Sequence, residues 1–172
     1  MLIREFYLKK IRDFYDVNSL IKILCGLRRS GKSVILKQII DEIKEKGIDD
    51  EHIIYINFES LDYADITTAI ELNNYIKSKV KDKKTYYVFL DEVQKVKDFE
   101  KAINSLRITE QFSIFITGSN SKMTFIELST DLSGRYVSFR VNPLSFKEVV
   151  ELTNTPKEKY LDLLLDIFEW GT

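Results

Sequence analysis

Gly26-Leu27-Arg28-Arg29-Ser30-Gly31-Lys32-Ser33 fits the pattern G-x-x-x-x-G-K-[ST] at every fixed position. Before it, Leu20-Ile21-Lys22-Ile23-Leu24-Cys25 reads as a short apolar strand, and from Val34 to Lys46 apolar residues recur at helical spacing. A loop that leads a strand into a helix leaves several backbone N–H groups without partners, beside the positive end of the helix dipole. Such a loop binds anions. Gly26 and Gly31 allow backbone angles and close approach that a Cβ forbids. Lys32 is expected to reach the β- and γ-phosphates of a nucleotide, and the Ser33 hydroxyl to be a Mg²⁺ ligand. The run from Gly26 through Leu27, Arg28, Arg29 and Ser30 to Val34 is the expected nucleotide-binding loop.

Downstream, strand and helix alternate. Gly47 stops the first helix, and His52-Ile53-Ile54-Tyr55-Ile56-Asn57-Phe58 is an almost continuously apolar strand. Asp65 to Val80, with Ala69, Leu72, Ile76 and Val80 spaced by three and four, predicts an amphipathic helix, and Lys81-Asp82-Lys83-Lys84 an exposed turn. The next strand, Tyr86-Tyr87-Val88-Phe89-Leu90, runs straight into Asp91-Glu92. Burial on both faces explains the apolar run, and the strand's carboxyl end delivers the acids to the edge where the glycine loop lies. Asp91 is placed to hold Mg²⁺ through its water shell, and Glu92 to orient and deprotonate an attacking water. The plainer alternative is an acidic pair that caps the strand.

Phe99, Ala102, Ile103 and Leu106 mark another helix, and Ser113-Ile114-Phe115-Ile116 a buried strand ending in Thr117-Gly118-Ser119-Asn120. A hydroxyl or amide there reaches a γ-phosphate or a water, or the segment is turn chemistry alone; both readings stand. After a polar segment, Arg135 precedes a fifth strand, Tyr136-Val137-Ser138-Phe139-Arg140-Val141, which Pro143 ends. Ser145-x-x-Glu148 is a capping box opening a short helix, and Thr155-Pro156-x-Glu158 has the same form with Pro at the first helical position. The last helix carries Tyr160, Leu161, Leu164, Leu165 and Phe168 with nothing after Gly171-Thr172 to cover them, the pattern of a truncated chain. At the other end, Phe6, Tyr7, Ile11, Phe14 and Tyr15 among Arg4, Lys9, Lys10 and Arg12 suggest an amphipathic helix whose basic residues form a solvated face.

The 172 residues suit one unit able to bury about two-thirds of its unfolded surface. Hydrophobic residues at 44% and charged residues at 31% fit an ordinary globular protein, and a net charge of −1 gives no general pull toward nucleic acid or acidic membranes. The single cysteine, Cys25, excludes an intrachain disulfide framework and reads as a small buried apolar residue. His52, the only histidine, has no Cys or His nearby in sequence, which argues against zinc. With no secretory leader pattern and no long apolar run, the expected location is the cytoplasm, away from the membrane.

Four passages together carry a resemblance: Gly26 to Ser33, Leu90-Asp91-Glu92-Val93-Gln94, Ile116-Thr117-Gly118-Ser119-Asn120 and Leu132-Ser133-Gly134-Arg135-Tyr136. Over nearly its whole length the chain resembles the AAA+ division of P-loop ATPases, and more narrowly the prokaryotic AAA_14 type, in which such a core precedes a further domain. The resemblance implies Walker A roles for Gly26, Gly31, Lys32 and Ser33 and Walker B roles for Asp91 and Glu92. It implies a sensor-1 contact from Thr117, Ser119 or Asn120. It also implies an arginine finger at Arg135 acting on a neighbouring subunit's nucleotide, although a surface arginine is an equal alternative. Asn57 resembles the residue that restrains the Walker B glutamate. The sheet order it implies is 5-1-4-3-2.

The expected fold is therefore α/β, a three-layer α/β/α core with a five-stranded parallel sheet. Residues 1–142 would form the ATPase core and 143–172 the start of a helical lid or following domain. The expected function is Mg²⁺-dependent binding and hydrolysis of ATP, with a homo-oligomer of the longer protein and a DNA or protein partner left open. The alternative is a slow nucleotide-gated switch. A small-molecule kinase is disfavoured because no arginine-rich lid segment is evident, and a GTPase because no N-K-x-D motif occurs.

Overall fold

The computed structural model describes residues 2–118, 132 and 134–170. Five strands, β1 (Ile21–Gly26), β2 (Ile53–Asn57), β3 (Tyr86–Asp91), β4 (Phe112–Gly118) and β5 (Tyr136–Val141), pair in the order β2-β3-β4-β1-β5. Every pairing is parallel. This is the expected order 5-1-4-3-2 read from the other edge. The helices are α1 (Glu5–Ile11), α2 (Lys32–Glu45), α3 (Ala69–Ser78), α4 (Phe99–Ile108), α5 (Phe146–Thr153) and α6 (Tyr160–Trp170). No helix among the described residues is long and apolar enough to cross a membrane.

Alternation along each strand decides which residues the two faces receive. Ile21, Ile23, Ile54, Ile56, Tyr86, Val88 and Leu90 pack with Leu72 and Ile76 of α3 and Ile103 and Leu106 of α4. Leu24, Tyr87, Phe89 and Phe115 pack with Leu8 and Ile11 of α1 and Ile35, Leu36, Ile39 and Ile43 of α2. Helices thus cover both faces of the sheet. By the same alternation Tyr55, Asp91 and Thr117 share the α1/α2 face.

Local chemistry moves several boundaries. Helix α2 begins at Lys32, not Val34, because left-handed Gly31 (φ 89°) is its N-cap, so Lys32 and Ser33 sit in the first turn. Helix α3 begins at Ala69, not Asp65. Thr68 and Glu71 form a reciprocal capping box that fixes the start there. Gly47 does end α2, in a left-handed conformation (φ 89°), and Ser145 and Glu148 form the expected capping box before α5. The second box does not form: Pro156 is extended, a 3₁₀ turn (Lys157–Lys159) follows, and the Thr155 hydroxyl meets that of Thr153. Two expectations for the N-terminal helix need correction. Phe6 is exposed beneath the Lys10 ammonium, whereas Arg4 is buried rather than solvated. Cys25 is only partly buried.

One charge lies inside the strand that reads as apolar. Lys22 is 0% exposed, on the face opposite Ile21 and Ile23. Its ammonium donates to the Val17 and Leu20 carbonyls and the Ser113 hydroxyl, which keeps a buried cation tolerable. Burial pushes its pKa down to about 7 from an ordinary 10.5, against an upward pull from Asp16. Between these values the unfolded chain binds the proton and the folded chain releases it, so stability should rise with pH through that window. Urea unfolding at about pH 7.5 and about pH 9 is expected to show the rise in wild type, at most about 1.4 kcal/mol per pH unit, and its loss in Lys22→Met.

Candidate functional site

The carboxyl ends of the parallel strands meet at one edge, and the loop after β1 is built there. Gly26 pairs with Val141 of β5 so closely that a Cβ on Gly26 would lie 2.2 Å from the Val141 carbonyl oxygen. Only glycine lets β1 leave the sheet at this point. The chain then turns through Arg29 (φ 62°) and Gly31, both left-handed, into α2. Ser30 N–H donates to the Leu27 carbonyl, and the buried Ser30 hydroxyl has no hydrogen-bond partner among the described residues. The N–H groups of Gly31, Lys32 and Ser33 likewise meet no protein acceptor among the described residues. Three donors thus stand at the positive end of a 14-residue helix.

These residues open on a cleft of about 380 Å³ lined by Arg28, Arg29, Gly31, Lys32, Ser33, Val34, Glu59 and Glu92. The Lys32 ammonium donates to the Leu27 carbonyl at 2.9 Å and the Gly26 carbonyl at 3.3 Å, so it already spans the loop. Two cationic side chains beside it, Arg28 and Arg29, make this wall positive.

The opposing wall comes from β3. Asp91 is 1% exposed, and its carboxylate accepts hydrogen bonds from the Thr117 hydroxyl and, at 3.2 Å, from the Tyr55 phenol. Burial and the adjacent Asp91 carboxylate raise the Tyr55 pKa, which keeps the phenol a donor. Thr117 also accepts the Glu92 N–H at 3.0 Å, so one hydroxyl on β4 ties Asp91, the last residue of β3, to Glu92 just after it. Glu92 is left-handed (φ 57°), which swings it out of the strand to the cleft, and its carboxylate accepts from Gln94 Nε2 at 2.6 Å. A cation, backbone donors and a carboxylate face one another, an arrangement suited to holding and attacking a phosphate ester.

The remaining expected residues divide. Thr117 lies within β4 and faces Asp91, while Ser119 and Asn120 fall outside the described residues. Asn57 accepts the Glu59 N–H in a turn of its own. Arg135 precedes β5 beside Ile21, at the sheet edge opposite the loop, with Nη1 3.4 Å from Asn104 Oδ1. It does not line its own chain's cleft. Tyr55, Glu59 and Gln94 escaped the sequence reading as site residues; for Glu59 the available signal was an acid just past a strand's carboxyl end. A second recess, about 260 Å³ and mostly apolar, adjoins the loop and includes Leu2, Ser30, Val34, Leu144 and Leu152. Its leucines come from the two chain ends, so no local pattern announces it.

Strand order, loop and cleft together define a nucleotide-binding AAA+ fold of the P-loop class. The chain belongs to the AAA_14 family of AAA domains, whose model matches residues 18–150. It is 40% identical over 162 residues to an uncharacterized protein of Haemophilus influenzae, covering 94% of this chain and 40% of that protein. To an uncharacterized protein of Methanocaldococcus jannaschii it is 39% identical over 141 residues, covering 81% and 30%. The chain thus spans well under half the length of these relatives. Among solved structures, C. elegans PCH-2 is similar in fold, with TM-score 0.56, 16% identity, and coverage of 87% of this chain and 46% of that one. AMPPCP-bound DnaA from Aquifex aeolicus gives TM-score 0.53, 18% identity, and coverage of 93% and 54%.

The Gly26 contact yields a stability prediction. Gly26→Ala must displace the β1–β5 pairing at the loop's root and is expected to cost about 2 kcal/mol, read as a lower urea midpoint.

Proposed function

We propose that this chain binds ATP with Mg²⁺ and hydrolyses it, as the ATPase core of a longer protein. The observation that supports this most is the convergence on one cleft of three unpartnered N–H groups, the Lys32 ammonium and the Glu92 carboxylate. The loop amides and Lys32 hold the β- and γ-phosphates, Lys32 exchanging its two carbonyl acceptors for phosphate oxygens. Glu92 orients a water and takes its proton as the water oxygen bonds to the γ-phosphorus and the bond to the ADP oxygen breaks. Thr117 keeps both acids in position, and the sensor contact comes from Thr117, Ser119 or Asn120. The apolar recess beside Ser30 takes the base, a role its leucines suit by packing rather than by hydrogen bonding. The AMPPCP-bound state of DnaA supports a nucleoside triphosphate as ligand.

The Ser33 hydroxyl, which lines the cleft, and the Asp91 carboxylate are hard oxygen donors that fit Mg²⁺; they would hold it, Asp91 through the water shell of the ion. Bound there, Mg²⁺ supplies neutralisation of charge on the β- and γ-phosphates. Arg135, outside its own cleft, acts on the nucleotide of a neighbouring copy in a homo-oligomer. Residues 1–142 form the core and 143–172 begin a helical lid or a following domain.

A second reading, a slow nucleotide-gated switch, draws support from the 2.6 Å bond by which Gln94 engages the Glu92 carboxylate. On this reading a DNA or protein partner that draws Gln94 away licenses turnover.

Lys32→Ala is expected to abolish ATP binding in calorimetry; unchanged affinity would defeat the proposal. Glu92→Gln is expected to retain binding while phosphate release falls by about 100-fold or more, and release at the wild-type rate would remove Glu92 from the mechanism.

A further inference from the structure

Arg4 stands in a basic run near the start of the chain, yet it is 4% exposed and reaches three separate parts of the fold. Its Nη1 donates to the Ser30 carbonyl at 2.7 Å, in the phosphate loop. Its Nη2 donates to the Asn142 carbonyl at 3.1 Å, just after β5. Nε and Nη2 meet the two oxygens of Glu148 on α5 at 2.9 and 3.3 Å. The backbone N–H donates to Gln38 Oε1 on α2 at 3.1 Å, and the guanidinium lies over the Tyr7 ring at 4.6 Å. A planar fork suits this set of acceptors, and the part-exposed Glu148 carboxylate balances its charge.

We propose that Arg4 is a positioning residue for the phosphate loop, and that its ion pair with Glu148 makes the seating of α5 part of nucleotide binding. The proposal rests on the nucleotide reading above. The Ser30–Gly31 peptide is planar and trans, so its carbonyl and its N–H point in opposite directions. Arg4 grips the carbonyl from outside the 380 Å³ cleft, and this turns the Gly31 N–H away from Arg4, at a residue that lines the cleft. A charge-assisted bond to that carbonyl polarises the peptide and makes its N–H a stronger donor toward an anion. Arg4 thereby fixes one of the three unpartnered amides in direction and strengthens it. At the guanidinium's other end, Glu148 is held twice, by Arg4 and by the Ser145 capping box, which sets where α5 sits. Leu152 of α5 and Leu144 before it line the apolar recess together with Arg4 itself. One side chain therefore links the loop to the wall of the neighbouring recess.

The test separates the two halves by ligand. Wild-type protein is titrated calorimetrically with ATP and with inorganic tripolyphosphate, which has phosphates but no base. Absence of binding to either overturns the nucleotide reading, and this proposal with it, before any variant is made. Arg4→Ala and Arg4→Lys, the latter a point charge too compact to span the acceptors, are expected to weaken tripolyphosphate by about 10-fold or more and ATP at least as much. In ¹⁵N-labelled Arg4→Lys the Gly31 amide resonance should move, a change that loss of bulk stability alone does not produce. Glu148→Gln, which keeps the Arg4–Ser30 bond, is expected to weaken ATP by about 5-fold and tripolyphosphate by less than about 2-fold. Folded Arg4 variants that bind tripolyphosphate as wild type does overturn the loop-positioning role. Equal losses for both ligands in Glu148→Gln, or none, overturn the coupling to α5. If Arg4→Ala does not fold, Arg4→Lys and Glu148→Gln decide both points.

Discussion

Parallel pairing is the constraint on which this molecule depends. Every strand of the sheet runs the same way, so every carboxyl end reaches one edge, and whatever chemistry the strands end in is brought together there. β1 ends in the glycine loop, β3 in Asp91 and Glu92, and β4 in Thr117 and Gly118. The pleat then sorts these groups by parity. Tyr55, Asp91 and Thr117 fall on the α1/α2 face, so two hydroxyls from neighbouring strands can hold the Asp91 carboxylate on either side. The Gly26–Val141 contact is the tightest expression of the same rule: β1 and β5 stay paired until the loop departs, which only the absence of a side chain permits.

The fold was largely legible in the sequence because its strands are short, nearly continuous apolar runs bounded by charged or polar residues, as in Tyr86 to Leu90 before Asp91-Glu92. The loop was legible because its pattern is local. Strand order was not, since periodicity reports only that a strand is buried on both faces; it came from resemblance. What stayed hidden are contacts whose partners are far apart in sequence. Arg4 reads as one of several surface bases, and nothing near it announces Ser30 or Glu148, which lie 26 and 144 positions away. Lys22 interrupts an apolar strand, and the one distant member of its three acceptors, Ser113, is brought alongside only by β1–β4 pairing. The α3 boundary was missed for the opposite reason: Thr68-x-x-Glu71 was in plain view as a local signal, but the apolar spacing running back to Asp65 outweighed it.

Buried charge is handled in three ways in one small core. Arg4 is neutralised by a carboxylate and spread over carbonyls, Lys22 is solvated by two carbonyls and a hydroxyl with its proton made easy to lose, and Asp91 is solvated by two hydroxyls. The first and third adjoin the phosphate loop and its opposing wall, while the second lies at the far end of β1.

The Lys32 ammonium is already satisfied by the main chain of its own loop. An arriving anion does not rescue a stranded cation; it competes with two peptide oxygens for it. The exchange conserves the tally of bonds, so what the lysine adds must come from the difference between a full negative charge and a carbonyl dipole. A weakly charged ligand gains little from that exchange, so on the proposed reading the lysine favours highly charged phosphate chains.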